Sequence, residues 1–177
     1  MNRLPVWLRD AAWSLGYAAI FHAAFRTAHL FWYLPAGVRF AALLFSPYRR
    51  WPWLITAESL LYVVFLYSPF VASHGVAGIA LLVSNPLLAA VGAWWLRRSG
   101  WSAPPSSPAA MARLLASFAL AASGALLGNL LYPFSEAARL SSALLYLQLV
   151  LGDYIGMLAI VPPFVMAVWS RPDVAIL

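Results

Sequence analysis

The chain has 177 residues, 64% of them hydrophobic and only 9% charged, with a mean hydropathy of +0.82 and a formal net charge of +6. A soluble domain carries about 25% charged residues, so this composition excludes an ordinary soluble enzyme and predicts an all-α, polytopic transmembrane helical bundle. Cysteine is absent, which removes disulfides and thiolate metal sites. The positive charge is not read as a nucleic-acid footprint, because that requires a solvated basic face and these arginines punctuate apolar runs.

Apolar runs recur along the chain, each close to the roughly 20 residues that a spanning helix needs. They predict six spans, at about 11–33, 35–48, 51–67, 77–96, 111–132 and 140–169. The opening MNRLPVWLRD leads into a long run with no short apolar core or small-residue cleavage site, so the first helix is expected to be retained. Every Lys or Arg position is an arginine. The positive-inside rule then places Arg3, Arg9, Arg49, Arg50, Arg97, Arg98, Arg113 and Arg171 on the cytoplasmic side, with Arg139 opposite. Both termini are expected in the cytoplasm, in a multi-pass protein of the bacterial inner membrane.

In chain order, the first span carries His22, Arg26, His29 and Tyr33 at helical spacing, a polar stripe expected to face protein. The second is short, opens at Leu34-Pro35-Ala36-Gly37 and carries Arg39; the proline and glycine suggest a re-entrant or kinked element near residues 34–40. The third carries Glu58 and the fourth Asn85-Pro86. Residues 99–108 (SGWSAPPSSP) read as a cytoplasmic linker. The fifth span has Gly124 and Gly128, a spacing that permits close helix approach, together with Asn129. The sixth carries Gln148, Gly152, Asp153, Gly156 and Pro162-Pro163. Of the nine tryptophans, Trp7, Trp51, Trp53, Trp94, Trp95, Trp101 and Trp169 fall near span ends, as an interfacial aromatic belt requires.

A carboxylate inside a span costs about 2.5–3.5 kcal/mol on insertion scales and tends to face protein, find a partner and mark a functional site. Asp153 is therefore the first candidate, with Arg39 and Arg26 beside it and Glu58, His22 and His29 behind. Depth along the helices favours pairing of Asp153 with Arg26 or Arg39 and sets Glu58 apart, toward the inner half. Such pairs can simply hold helices in register, or they can form a ligand or proton site whose occupancy changes the pairing. Two histidines on one helix face cannot sandwich a haem, and no phosphate loop, metal cluster or nucleophile elbow is present in the sequence. Neither a catalytic residue nor a cofactor is expected.

Three segments resemble, in order and spacing, the bacterial membrane-associated sensor domain of the first type, the MASE family. They are Leu34-Pro35-Ala36-Gly37 with the turn Tyr48-Arg49-Arg50-Trp51-Pro52; Asn85-Pro86-Leu87-Leu88 running through Gly92 to Arg97-Arg98; and Gly152-Asp153-Tyr154-Ile155-Gly156 running to Pro162 and Trp169. The resemblance implies an inner-membrane input domain that perceives a small ligand, lipid or partner protein. It further implies a relay to a cytoplasmic kinase or cyclic-di-GMP output module outside this chain. A small-molecule transporter, which discontinuous helices would suit, and a structural or assembly subunit of a membrane complex are the alternatives.

Overall fold

The computed structural model of the protein describes residues 5–27, 33–66, 68–101, 107–124 and 136–169. Every regular element among them is helical: α1 (Val6–Thr27), α2 (Leu34–Phe45), a 3-10 turn (Tyr48–Arg50), α3 (Trp51–Leu60) continuing into a π-helical stretch (Leu61–Leu66), α4 (Ser68–Arg98), α5 (Pro108–Ala122) and α6 (Glu136–Trp169). Of these, the segment Leu147–Val168 is long and apolar enough to cross a membrane, with 22 residues and a mean hydropathy of 1.8. His29, Gly128, Asn129, Arg3 and Arg171 lie outside the described residues, as do residues 102–106 of the expected 99–108 linker.

Local chemistry explains where the helices begin and end. Proline occupies the first turn of α2, α3 and α5, where its missing N–H removes nothing and its fixed φ suits the helix. Ser107 caps α5, its Oγ accepting from the Ala110 N–H at 3.2 Å, a donor the helix cannot satisfy internally. Between the expected third and fourth spans the sequence predicts a loop; the structure has helix from Ser68 onward, interrupted at Gly75, whose φ of 56° breaks α4 in two. Only glycine adopts that conformation without strain. Pro86, Pro162 and Pro163 sit inside helices that run through them.

The second expected span is a regular helix of 12 residues, about 18 Å long at 1.5 Å per residue and well short of the roughly 30 Å hydrocarbon core. Its burial is correspondingly deep: Pro35, Ala36, Gly37, Arg39, Phe40, Ala41, Leu43 and Leu44 are all buried. Its main packing partner is α6. There a Cβ added to Gly37 would run into the Gly156 carbonyl and lie 2.7 Å from Ile160 Cβ, and one added to Gly156 would run into the Tyr33 carbonyl. The Tyr33 N–H donates to the Gly152 carbonyl at 3.2 Å. Two of the sequence segments singled out above thus meet backbone to backbone. A similar contact joins α4 and α5, where a Cβ on Gly92 would come within 2.8 Å of the Ser117 carbonyl.

At the other end of α2, polar contacts tie several chain segments together. Trp51 Nε1 donates to the carbonyls of Leu43 (2.9 Å) and Ser46 (3.2 Å), and Arg97 Nη1 donates to Ser46 at 2.8 Å, so carbonyls that α2 leaves open at its C-terminus are satisfied. The Arg97 guanidinium also lies 4.1 Å from the Tyr48 ring centroid. Arg50 Nε donates to Asp10 Oδ1 at 2.8 Å, and Arg113 Nη1 donates to the Ser99 carbonyl. These contacts gather the start of α1, the end of α2, the start of α3, the end of α4 and the start of α5 at one basic end.

Two tests follow from this packing. Gly37→Ala should lower the thermal midpoint in detergent, with a loss of about 1–3 kcal/mol from overpacking, whereas Gly16→Ala, which meets nothing within 4 Å, should leave the midpoint unchanged or raise it. At the basic end, the hydrogen bond from Arg50, against the opposing effect of burial and helped by the charges of Arg50, Arg49 and Arg9, holds the Asp10 carboxyl below its ordinary value of 3.8. A lowered folded value means that the contribution is complete above pH 3.8 and is lost as pH falls through the folded value. Asp10→Asn should therefore flatten that part of the acid-unfolding profile followed by circular dichroism.

Candidate functional site

A charged cluster sits inside the bundle where α1, α2 and α3 converge. Arg39 and Glu58 are 2% and 1% exposed, and their side chains pair directly, with Arg39 Nη2 at 2.6 Å and Nε at 2.7 Å from Glu58 Oε1. The second carboxylate oxygen accepts the Tyr17 hydroxyl from α1. Arg39 Nη2 also donates to the Tyr62 hydroxyl at 2.9 Å, and the Tyr62 and Tyr33 hydroxyls are 2.7 Å apart. Phe21 lies against the guanidinium, its ring centroid 5.6 Å away. Opposite charge, a donor to each carboxylate oxygen and a flanking ring face are what a buried ion pair needs to persist.

The positions follow from helix periodicity. Asp10, Ser14, Tyr17 and Phe21 form the buried face of α1 at spacings of four, three and four residues. Glu58 and Tyr62 are four apart on one continuous helical run, and Tyr62 lies in its π-helical part, a conformation that often marks functional sites. Arg39 stands about 10 Å from the basic end of α2, Glu58 about as far along α3, and Tyr17 about as far along α1 from Asp10. The expected separation in depth between Arg39 and Glu58 therefore does not occur. The expectation set the start of α2 at the outer side, whereas a helix of 12 residues that ends at the basic end keeps Arg39 level with Glu58.

Asp153 is 6% exposed, on the α6 face that carries Gly152 and Gly156 into α2. The expected pairing of Asp153 with Arg26 or Arg39 is not found: Arg39 is taken by Glu58, and no hydrogen bond or ion pair within 4 Å joins Asp153 to a described residue. Arg39 and Glu58 nonetheless act on it electrostatically, so three ionisable groups, one cation and two carboxylates, share one buried region. Arg26 is exposed in the last turn of α1, where a cation complements the helix dipole. His22 is half-buried, and its Nδ1 has no partner among the described residues. The stripe begun by His22 and Arg26 is thus not the inward face of α1, because burial follows Tyr17 and Phe21, one residue off in phase.

Tyr17 and Tyr62 are polar residues of the cluster that charge alone does not reveal, and Asp10, buried against Arg50, is a charged residue the sequence analysis did not single out. Tyrosine spaced four from Glu58, and Asp10-Ser14-Tyr17 at helical spacing, are the signals that could have found them. Among the described residues no three His, Asp or Glu side chains converge in the manner of a metal site.

Removing one member of the pair should be costly. Arg39→Leu leaves a buried, unpaired carboxylate and should lower stability by about 3–5 kcal/mol, while the double change Arg39→Leu with Glu58→Leu should recover most of it. Tyr17→Phe, which removes one hydrogen bond to a charged acceptor, should cost about 1.5–3 kcal/mol. Thermal unfolding of the four proteins in one detergent separates these outcomes.

A comparison with protein-family models matches residues 8–171 to MASE1. No curated protein and no solved structure matches. The match runs from the first turn of α1 past the end of α6, and so takes in the charged cluster, the α2–α6 glycine crossing and the basic end together. The resemblance seen in three short segments thus extends over nearly the whole chain, which belongs to the MASE1 family of membrane-associated sensor domains.

Proposed function

We propose that this chain is a multi-pass input domain of the bacterial inner membrane, with about six membrane segments, the short α2 among them, and its basic end in the cytoplasm. In this reading it senses a small ligand, a lipid or a partner protein at the buried cluster of Arg39, Glu58 and Asp153. The observation that carries the reading is the charge imbalance there: one guanidinium stands near two carboxylates, pairing with Glu58 and acting on the buried Asp153 only electrostatically. A carboxylate in an apolar interior is costly to keep charged, and a ligand that brings a hydrogen-bond donor or a positive charge to it lowers that cost.

Asp153 also lies at the point where α6 meets α2 through Gly37 and Gly156. Such a contact allows no gradual adjustment, because the backbones already touch. A ligand that satisfies Asp153 in one arrangement of α6 better than in another biases the two by the difference in its affinity. The C-terminal half of α6 runs toward the basic end, where a kinase or cyclic-di-GMP module receives the change. Catalysis, in this reading, belongs to that module and not to this chain.

Fusing the chain to a cytoplasmic output enzyme tests the proposal. Asp153→Asn, which keeps shape and removes the charge, should shift basal output by roughly five- to 150-fold, the range of ordinary coupling energies, without loss of folded protein. Arg39→Ala should also shift it. Unchanged output in both variants, with the fold verified by size-exclusion chromatography, would sink the reading and favour a structural role for the cluster.

A further inference from the structure

An apolar groove of about 430 Å³ runs between α1 and α6 across α2, and its walls include Ala12, Trp13, Gly16, Ala42, Ile160 and Phe164. Its volume falls within the range of ligand pockets, about 300–1,000 Å³, and it exists because small residues stand where α1 and α2 would otherwise fill the space. Nothing lies within 4 Å of a Cβ built on Gly16. One end of the groove is not apolar. Trp13 has the Arg50 guanidinium 5.6 Å from its ring centroid, and Arg50 is tied to Asp10. Arg9 and Arg49 are exposed and are the chain neighbours of the paired Asp10 and Arg50. Three arginines thus stand around one carboxylate at the mouth of an apolar trough.

We infer that this groove is a binding site for an anionic phospholipid, its acyl chain lying along Gly16 and Ala42 and its headgroup phosphate meeting Arg9 and Arg49. The charge pattern selects the class. A zwitterionic lipid fills the trough equally well but gains little from the uncompensated arginines, and basic pockets between helices on the cytoplasmic side are suited to anionic headgroups. The inference rests on the basic end lying at the membrane surface, and not on Asp153 being a ligand site. Because Ile160 and Phe164 belong to α6, occupancy of the groove braces the same helix whose position the proposed signal changes.

The test uses the full chain in a nonionic detergent, with the thermal midpoint followed during titration with phosphatidylglycerol or phosphatidylcholine of identical acyl chains. The expected result is an apparent affinity for phosphatidylglycerol higher by roughly fivefold for each arginine that reaches the phosphate. Gly16→Leu should abolish the lipid response while keeping the lipid-free midpoint. Should that midpoint fall, Ala12→Leu at an exposed position of the same wall takes its place. Arg9→Gln combined with Arg49→Gln should reduce the phosphatidylglycerol response to that of phosphatidylcholine, and Asp153→Asn should leave the preference intact. Equal responses to the two lipids, persistence of the preference after the groove is filled, or an equivalent shift from inorganic phosphate alone would each overturn the inference.

Discussion

Burying the Arg39 guanidinium obliges the chain to surround a permanent charge with acceptors, because arginine cannot shed its proton. The acceptors come from separate elements: Glu58 from α3 and Tyr62 from the π-helical stretch that follows it. Tyr17 of α1 then fills the other oxygen of Glu58. With α2 supplying the cation, the first three helices have one relative arrangement in which all these groups are satisfied. Hydrophobic packing alone is less demanding, since apolar side chains of similar size substitute for one another at modest cost. The ion pair therefore acts as a registration device for this part of the bundle.

The short α2 is the element on which the other contacts depend. Its first turn meets α6 through glycines, and its last carbonyls are held by Trp51 and Arg97. Between these ends sits Arg39. A helix of this length can be buried on nearly all sides, as its eight buried residues show, and its position is then fixed from three directions: by the charge pair, by the glycine crossing and by the basic end. Movement of α6 against α2 cannot occur without altering the surroundings of Asp153, which is the physical basis for linking a buried carboxylate to a relay.

Much of this could be read from residue type and spacing. The all-helical class followed from composition, whereas the re-entrant or kinked element expected near 34–40 is a regular short helix beginning at Leu34. Arg39, Glu58 and Asp153 were recognisable as interior groups because charge inside an apolar run must face protein. Their pairing was not recognisable: depth counted from the expected span ends sets Glu58 apart, and that count fails when the start of a short helix lies inside the bundle and not at the outer side. The stripe from His22 to Arg26 misleads for a related reason. Helical periodicity identifies a face but not its direction, and in α1 the face of Tyr17 and Phe21 points inward instead.

By itself, then, the sequence determined the class of the protein, the residues expensive enough to be buried with a purpose, and the clustering of arginines that the basic end displays, because each depends on composition or on spacing along a single helix. Tertiary structure alone decided which charge meets which, that Gly37 and Gly156 bring two backbones into contact, that Arg39 pairs with Glu58 in place of Asp153, and that a groove opens beside Gly16. Those outcomes depend on the crossing of helices distant in sequence, where a shift of one residue in register replaces every neighbour, and no property of one helix taken alone contains that information.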